Sequence, residues 1–164
     1  MSSVRRRRLA ATSLSAVVIL TLSACGFDDQ TNQQYQPAAG ANYRSSTINV
    51  LNTVLVANAN DSATLSASIV NNSKENQSLS SVTVDTLDGG ESLPVRGLKS
   101  LLPLPKGETA FLGQASDAGG WTVTSGAKPG YYVKVTLNFT DAPAVTVEAP
   151  VVARTPDYDF VTTG

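Results

Sequence analysis

Histidine is absent from the 164-residue sequence, and cysteine, methionine and tryptophan each occur once. Catalysis by Ser-His-Asp or Cys-His arrangements needs an imidazole base, so both mechanisms are excluded. Zinc sites built from cysteine and histidine are excluded for the same reason. No glycine-rich phosphate-binding loop is present, and a single cysteine cannot form a disulfide within the chain. These absences predict a protein that is not an enzyme and that carries no metal or other cofactor.

The N-terminus has the three zones of a secretory signal peptide. Four arginines at residues 5–8 precede an apolar stretch over residues 9–22, and small residues follow up to Ala24. The apolar stretch has about 14 residues, whereas a transmembrane helix needs about 20. Leu22-Ser23-Ala24-Cys25 resembles the bacterial lipobox. The resemblance implies cleavage between Ala24 and Cys25 and a diacylglyceryl group on the Cys25 sulfur. Export by the general or the twin-arginine route stays open.

The predicted anchor determines where the protein resides. Each buried CH₂ stabilises membrane association by about 0.8 kcal/mol, and two acyl chains hold a protein stably. We therefore expect an extracytoplasmic protein on the outer face of the cell membrane, with the membrane as a partner through Cys25. Removal of the signal leaves 13 acidic and eight basic side chains, a net charge of about −5. This charge argues against nucleic acid as a partner.

Composition divides the chain into four segments. Residues 1–24 are the predicted signal peptide. Residues 25–45 are polar without apolar periodicity, which predicts a lipidated, flexible tether. Residues 46–152 form the predicted folded domain, and residues 153–164 a disordered tail. Within the tail, Asp157-Tyr158-Asp159-Phe160 is either part of a frayed terminus or a short acidic-aromatic docking motif.

Residues 46–152 alternate between apolar and polar side chains, the pattern of half-buried strands. Ile48, Val50, Val54 and Val56 are predicted to share one face of a strand. Alternating runs over residues 131–139 and 145–151, with a proline-containing turn between them, predict a hairpin. No sustained helical period follows residue 25. The sequence therefore predicts an all-β domain, an antiparallel β-sandwich of immunoglobulin-like size.

Five sequence motifs carry a resemblance to a known family. They are IVNN at 69–72, LSSV at 79–82, LPKGE at 104–108, GYYVKVTLNF at 130–139 and VTVEAPV at 145–151. On these motifs, residues 63–152 resemble the PCuAC-like copper chaperone family, whose fold is a cupredoxin-like β-sandwich. With the lipobox, the chain is similar to actinobacterial lipoproteins of the LpqE type.

The copper chemistry of that family does not carry over. The family site uses histidine and methionine, including a His-x-Met pair, whereas the stretch after Glu108 reads TAFLG. Cu(I) selects thioether and thiolate donors and also accepts imidazole. No such group remains after processing, because Met1 is removed with the signal and lipidation consumes the Cys25 thiol. The resemblance therefore implies the fold of a copper chaperone without its ligands.

Two further groups are candidate sites. Asp85, Asp88 and Glu91 surround a Gly-Gly pair, but their spacing differs from an EF-hand and favours a solvated turn. The same carboxylates could be a general acid/base pair, but the sequence supplies no activated nucleophile and no orienting partner for one. Trp121, after another Gly-Gly pair, is expected in the core or at a sheet edge.

The second group is leucine-rich and interrupted by two prolines, so it cannot be a central strand. Its leucines either close one end of the sandwich or form an apolar patch for an envelope protein partner. They are Leu98, Leu101, Leu102 and Leu104.

Three functions stay open from the sequence. The first is a non-catalytic, membrane-anchored binding or adaptor module of the cell envelope. The second is copper handling by a chaperone-like protein that has lost or replaced its metal ligands. A hydrolase that uses carboxylates alone is the third, and nothing beyond the spacing of the acidic residues supports it.

Overall fold

A computed structural model describes residues 39–88, 90–97, 100–114 and 120–163. In these ranges the regular structure is β-strand, apart from one 3₁₀ turn at Pro156–Tyr158. No helix in the described part of the chain is long and apolar enough to cross a membrane. The strands are β1 Ala41–Tyr43, β2 Ile48–Ala57, β3 Ala63–Asn71, β4 Gln77–Thr86, β5 Ser92–Leu93, β6 Val95–Arg96, β7 Leu102–Leu104, β8 Thr109–Leu112, β9 Thr122–Val123, β10 Tyr132–Phe139 and β11 Val145–Val152.

The strands form two layers that are joined along one side. Strands β4, β5, β7, β10 and β11 make one layer, and β1, β2, β3, β6, β8 and β9 make the other. The junction is the pairing of β11 with β2, where Val151 lies opposite Leu55. The result is a sheet nearly closed on itself around one core, so the prediction of an all-β, cupredoxin-like sandwich is confirmed.

The junction corrects one part of that prediction, because the sheet is mixed and not purely antiparallel. β11 runs parallel to β2 over Val151 and Val152. Neighbouring strands must be antiparallel only when a tight turn links them, and a parallel pair needs a long connection. Nearly the whole folded chain separates β2 from β11, so no turn fixes their relative direction.

The predicted hairpin is present as β10 and β11, paired antiparallel from Tyr132 opposite Pro150 to Leu137 opposite Val145. The inward side chains Val133, Val135 and Leu137 are buried. Uninterrupted alternation matches the two-residue repeat of a strand, so one face of each strand enters the core.

A bulge in β2 overturns the prediction that its four apolar residues share a face. Leu51 lies opposite Ser68 and Val54 opposite Ser66, so β2 has one extra residue here. An extra residue moves every following side chain to the other face. Ile48 and Val50 therefore enter the main core, while Val54 and Val56 lie in a second, smaller cluster. Leu55 takes the core position instead.

The ordered domain begins before residue 46, which corrects the predicted extent of the tether. Strand β1 pairs with β2, and Ala41 packs against the main core. The Asn52 backbone N–H donates to Asn42 Oδ1 at 2.7 Å. Backbone pairing and these contacts order residues 41–43 although their composition is polar.

The predicted disordered tail is also ordered over its described residues. Residues 153–163, here called the C-terminal strap, turn through Pro156–Tyr158 and bring Val161 against Val54 and Val56. Thr162 N–H donates to the Gly113 carbonyl at 2.8 Å. The strap is held by a buried valine and by hydrogen bonds to residues that are distant in the sequence. The composition of the strap alone does not reveal these contacts.

Candidate ligand-binding groove

An open groove of about 580 Å³ lies where the β4–β5 turn meets the segment that leads into β10. Its volume is within the range of roughly 300–1,000 Å³ that is typical of ligand sites. Two separate stretches of chain contribute to it: the end of β4 with β5, and the loop that continues into the start of β10. The lining residues are Thr86, Leu87, Asp88, Glu91, Leu93, Gly126, Lys128, Tyr131, Tyr132 and Val133.

The β4–β5 turn forms the acidic wall of the groove. Thr86 N–H donates to the Glu91 carbonyl at 2.9 Å, and Glu91 N–H donates to Thr86 Oγ1 at 3.2 Å. Gly90 has a φ of 64°, which an L side chain seldom adopts. These bonds close the turn and leave the Asp88 and Glu91 carboxylates exposed at its rim.

The opposite wall carries two tyrosines and a lysine. Tyr131 is 62% exposed and Tyr132 is 56% exposed. The Tyr131 carbonyl accepts from Val151 N–H at 2.8 Å, and Gly130 N–H donates to the Val151 carbonyl at 2.9 Å. These bonds fix the backbone at the start of β10, so the phenol rings project from a rigid sheet end.

The groove therefore combines apolar side chains with hydroxyls and charges of both signs. Leu93 and Val133 contribute apolar surface, and Lys128 stands among the lining residues with the two carboxylates. Such a surface can bind an organic ligand or a polypeptide segment by burial of apolar area and by hydrogen bonds.

The acidic candidates of the sequence are only partly brought together. Asp88 and Glu91 line the groove, whereas Asp85 lies in β4 and accepts a hydrogen bond from Ser92 Oγ. Within the described residues no group of three or more His, Cys, Asp or Glu side chains could hold a metal ion. The arrangement is a hydrogen-bonded turn with two exposed carboxylates at its rim.

Of the described leucines in this group, two are buried and one is exposed, so they do not form the apolar patch that was one of the two interpretations. Leu102 and Leu104 are buried in the core, while Leu101 is 51% exposed. Leu98 lies outside the described residues. Strand β7 pairs with β4 at the edge of its layer, and alternate leucines face inward because of the two-residue repeat. Leu102 and Leu104 therefore fill part of the sandwich, in agreement with the first of the two interpretations.

Other predicted residues are placed as follows. Trp121 is a core residue, and its carbonyl accepts from Leu65 N–H at 2.8 Å. Gly97 packs against the Trp121 indole so closely that a Cβ there would overlap it. Ala24 and Cys25 lie outside the described residues, so the signal and lipidation remain predictions.

The sequence did not predict that Tyr131 and Tyr132 form part of a binding surface. Consecutive residues of a strand point to opposite faces, so at most one of two adjacent tyrosines can enter the core. That rule was available from the sequence. Lys128 gave no comparable signal, because its place in the groove depends on how the preceding loop crosses the sheet end.

The architecture is similar to two solved copper-protein domains. The apo PCuAC domain from PmoF1 matches with a TM-score of 0.55 at 22% identity, over 70% of this chain and 100% of that chain. The copper-bound PCuAC domain from PmoF2 matches with a TM-score of 0.53 at 21% identity, over 70% of this chain and 99% of that chain. The fold is PCuAC-like. No protein-family model and no curated protein matches the sequence.

The residues of this PCuAC-like domain do not fit a Cu(I) ion. Strand β8, which follows Glu108, presents only threonine, alanine, phenylalanine and leucine side chains. The sequence has no histidine, its one methionine is Met1 and its one cysteine is Cys25. Because Cu(I) selects soft sulfur donors and imidazole, the described residues supply no donor set for it.

Proposed function

We propose that this chain is a non-catalytic binding module of the cell envelope, built on a copper-chaperone scaffold and lacking the family's copper site. It binds its ligand or partner in the groove between the β4–β5 turn and the start of β10. The observation that carries the proposal is the pair of exposed tyrosines on a rigid sheet end, opposite an acidic turn. Exposed aromatic rings beside polar groups are typical of interaction sites.

The proposal includes the membrane anchor. Lipidated Cys25 holds the domain on the outer face of the cell membrane, as in actinobacterial lipoproteins of the LpqE type. The support is the lipobox and the basic, apolar and small-residue zones before it. Anchoring keeps the groove at the membrane surface, where it meets envelope components and no nucleic acid.

A second candidate is a direct role in copper handling. Both solved domains reported above are PCuAC domains, and one of them holds copper. These comparisons favour copper handling over an unrelated adaptor function. The side chains favour a metal-free role, because imidazole is missing throughout the sequence. If the chain serves copper handling, its groove would contact a copper protein and its own donors would not hold the ion.

Titration with Cu(I) against a competing chelator separates the two candidates. The protein is the mature chain with Cys25→Ser, and the PCuAC domain from PmoF2, stripped of its copper beforehand, is the positive control. We expect the control to withdraw stoichiometric Cu(I) from the chelator and this protein to withdraw none. Tight one-to-one binding would overturn the metal-free proposal and establish direct copper handling.

Site-specific photocrosslinking in the native envelope tests the groove. A photoreactive amino acid at Tyr131 should give a discrete crosslinked species, because this ring projects into the groove. Ser81, exposed on β4 of the same layer, is the control position and should give none. Equal crosslinking from both positions would count against a specific site in the groove.

A further inference from the structure

The C-terminal strap is held by one arginine that is surrounded by carbonyl oxygens. Arg154 Nη1 donates to the carbonyls of Tyr158 at 3.2 Å and Val161 at 2.8 Å. Its Nη2 donates to Asn58 Oδ1 at 2.6 Å and to the Thr162 carbonyl at 3.4 Å. A planar guanidinium has several donors in fixed directions, so a single side chain can fix a whole turn.

The far end of the strap is attached to Gly113 and Gln114, which directly follow β8. Val161, only 2% exposed, forms an antiparallel bridge with Gln114, and Thr162 N–H donates to the Gly113 carbonyl. The strap is therefore ordered at both ends before any partner arrives. Binding to a preformed surface avoids the entropy cost of ordering a flexible segment.

The outer side of the strap is both aromatic and acidic. Phe160 is 51% exposed, and Asp157 and Asp159 are exposed on the same turn. These three residues are here called the C-terminal patch. The half-buried Tyr158 ring lies beneath Phe160, with 6.4 Å between ring centroids. A cavity of about 100 Å³ lies beside Phe160; its lining is mixed, with Ala67, Phe111 and Leu112 on the apolar side and Asn52, Ser66, Ser68 and Gln114 on the polar side.

The charge of the patch is not neutralised within the described part of the chain. Neither Asp157 nor Asp159 forms an ion pair with another described residue. The nearest arginine in sequence, Arg154, directs its donors to carbonyls and an amide oxygen. The patch thus presents two carboxylates around one aromatic ring, a combination that complements a basic segment with an apolar side chain.

We propose that the C-terminal patch docks a polypeptide segment in which one apolar side chain is flanked by lysine or arginine. The apolar side chain packs on Phe160 and enters the adjoining cavity, while the basic side chains pair with Asp157 and Asp159. The sign of the charge disfavours an anionic lipid surface as the occupant. This site is distinct from the groove and does not depend on the function proposed there.

Fluorescence anisotropy with a labelled peptide tests the proposal. The probe has one leucine with two lysines on each side, and its matched control has glutamates in place of the lysines. The protein is the mature chain with Cys25→Ser. We expect saturable binding of the lysine peptide that weakens with added salt, and no binding of the glutamate peptide.

Three variants assign the binding to the patch. Phe160→Ala should weaken it about tenfold or more, as expected for an aromatic anchor. Asp157→Asn and Asp159→Asn should each weaken it about two- to fivefold and reduce its salt dependence. Leu101→Ala is the matched control, since Leu101 and Phe160 are both 51% exposed and Leu101 lies outside both the patch and the groove, and it should leave peptide affinity unchanged.

Several results would overturn the proposal. They are the absence of saturation at millimolar peptide, unchanged affinity in Phe160→Ala, and binding to phosphatidylglycerol vesicles instead of the peptide. Loss of peptide binding in Tyr131→Ala would assign the peptide to the groove and also overturn the proposal. If crosslinking gives no evidence for a site in the groove, the peptide measurements still decide the proposal for the C-terminal patch. The two sites are therefore tested separately.

Discussion

Single glycines decide where this chain can bring a loop against a sheet. Gly113 ends β8 with a φ of +84°, and a Cβ at this position would lie 2.7 Å from the Leu65 carbonyl oxygen. Its own carbonyl accepts from Thr162 of the C-terminal strap. A glycine is required here for two reasons, the left-handed backbone and the close approach of β3.

Gly113→Ala separates those two reasons when it is compared with Gly107→Ala. Gly107 also has a positive φ, +77°, but no atom lies within 4 Å of an added Cβ. We expect Gly107→Ala to lower the free energy of unfolding by about 1–2 kcal/mol through backbone strain alone. Gly113→Ala should cost more, because β3 must shift as well. Urea denaturation measures both, and equal losses would contradict the close approach.

Asn71 shows what sequence reasoning misses at the scale of one residue. Read along the chain, it begins a polar loop after β3. In the structure it is fully buried and donates from Nδ2 to the carbonyls of Glu75 and Leu104, at 2.9 and 2.8 Å. Burial of an amide is stable only when such partners exist. One of them is 33 residues away, so no local pattern could reveal it.

At the scale of elements, β7 is a short edge strand with two buried leucines, and the leucine just before it is exposed. Leu104 is 1% exposed and Leu101 is 51% exposed. We expect Leu104→Ala to lower the free energy of unfolding by about 2–5 kcal/mol, because it leaves a cavity. Leu101→Ala should change it by about 0.5 kcal/mol or less. Chemical denaturation of the two variants is the measurement, and similar losses would show that Leu101 is also packed.

The elements differ in how far the sequence predicts them, and the reasons are physical. The β10–β11 hairpin is predictable because its alternation is unbroken and a proline turn separates the strands. The bulge in β2 is hidden, because Asn52 and Thr53 look like ordinary outward residues while one of them shifts the register. The buried Thr64 and Ser66 of β3 are equally hidden, since polar side chains on alternate positions predict an exposed face.

The candidate sites were less predictable than the strands. The groove is assembled from two stretches of chain that are distant in the sequence, and the sequence indicates only the turn with Asp88 and Glu91. The acidic-aromatic motif of the tail was recognised as well, but its order depends on Arg154 and on contacts with Gly113 and Gln114. Local sequence patterns identify residues that could bind a ligand, whereas the exposure of those residues depends on tertiary packing.

At the scale of the whole molecule, an acidic domain follows a predicted lipid anchor in the chain. The net charge of about −5 after processing opposes direct adsorption to anionic headgroups, so membrane association must come from the acyl chains. This separates two roles along the chain. In the proposed arrangement, the lipidated N-terminus determines the location, and the folded domain determines what is bound.

Replacement of the predicted lipidation site tests that separation. In the Cys25→Ser variant the acyl chains cannot be attached, so we expect the protein to leave the membrane fraction and to lose metabolic labelling with palmitate. The urea midpoint of the domain should not change, since the ordered strands begin at Ala41. That midpoint is the control for misfolding. A variant that still sediments with membranes and stays labelled would refute the assignment of Cys25, and the domain would then need another route to the membrane.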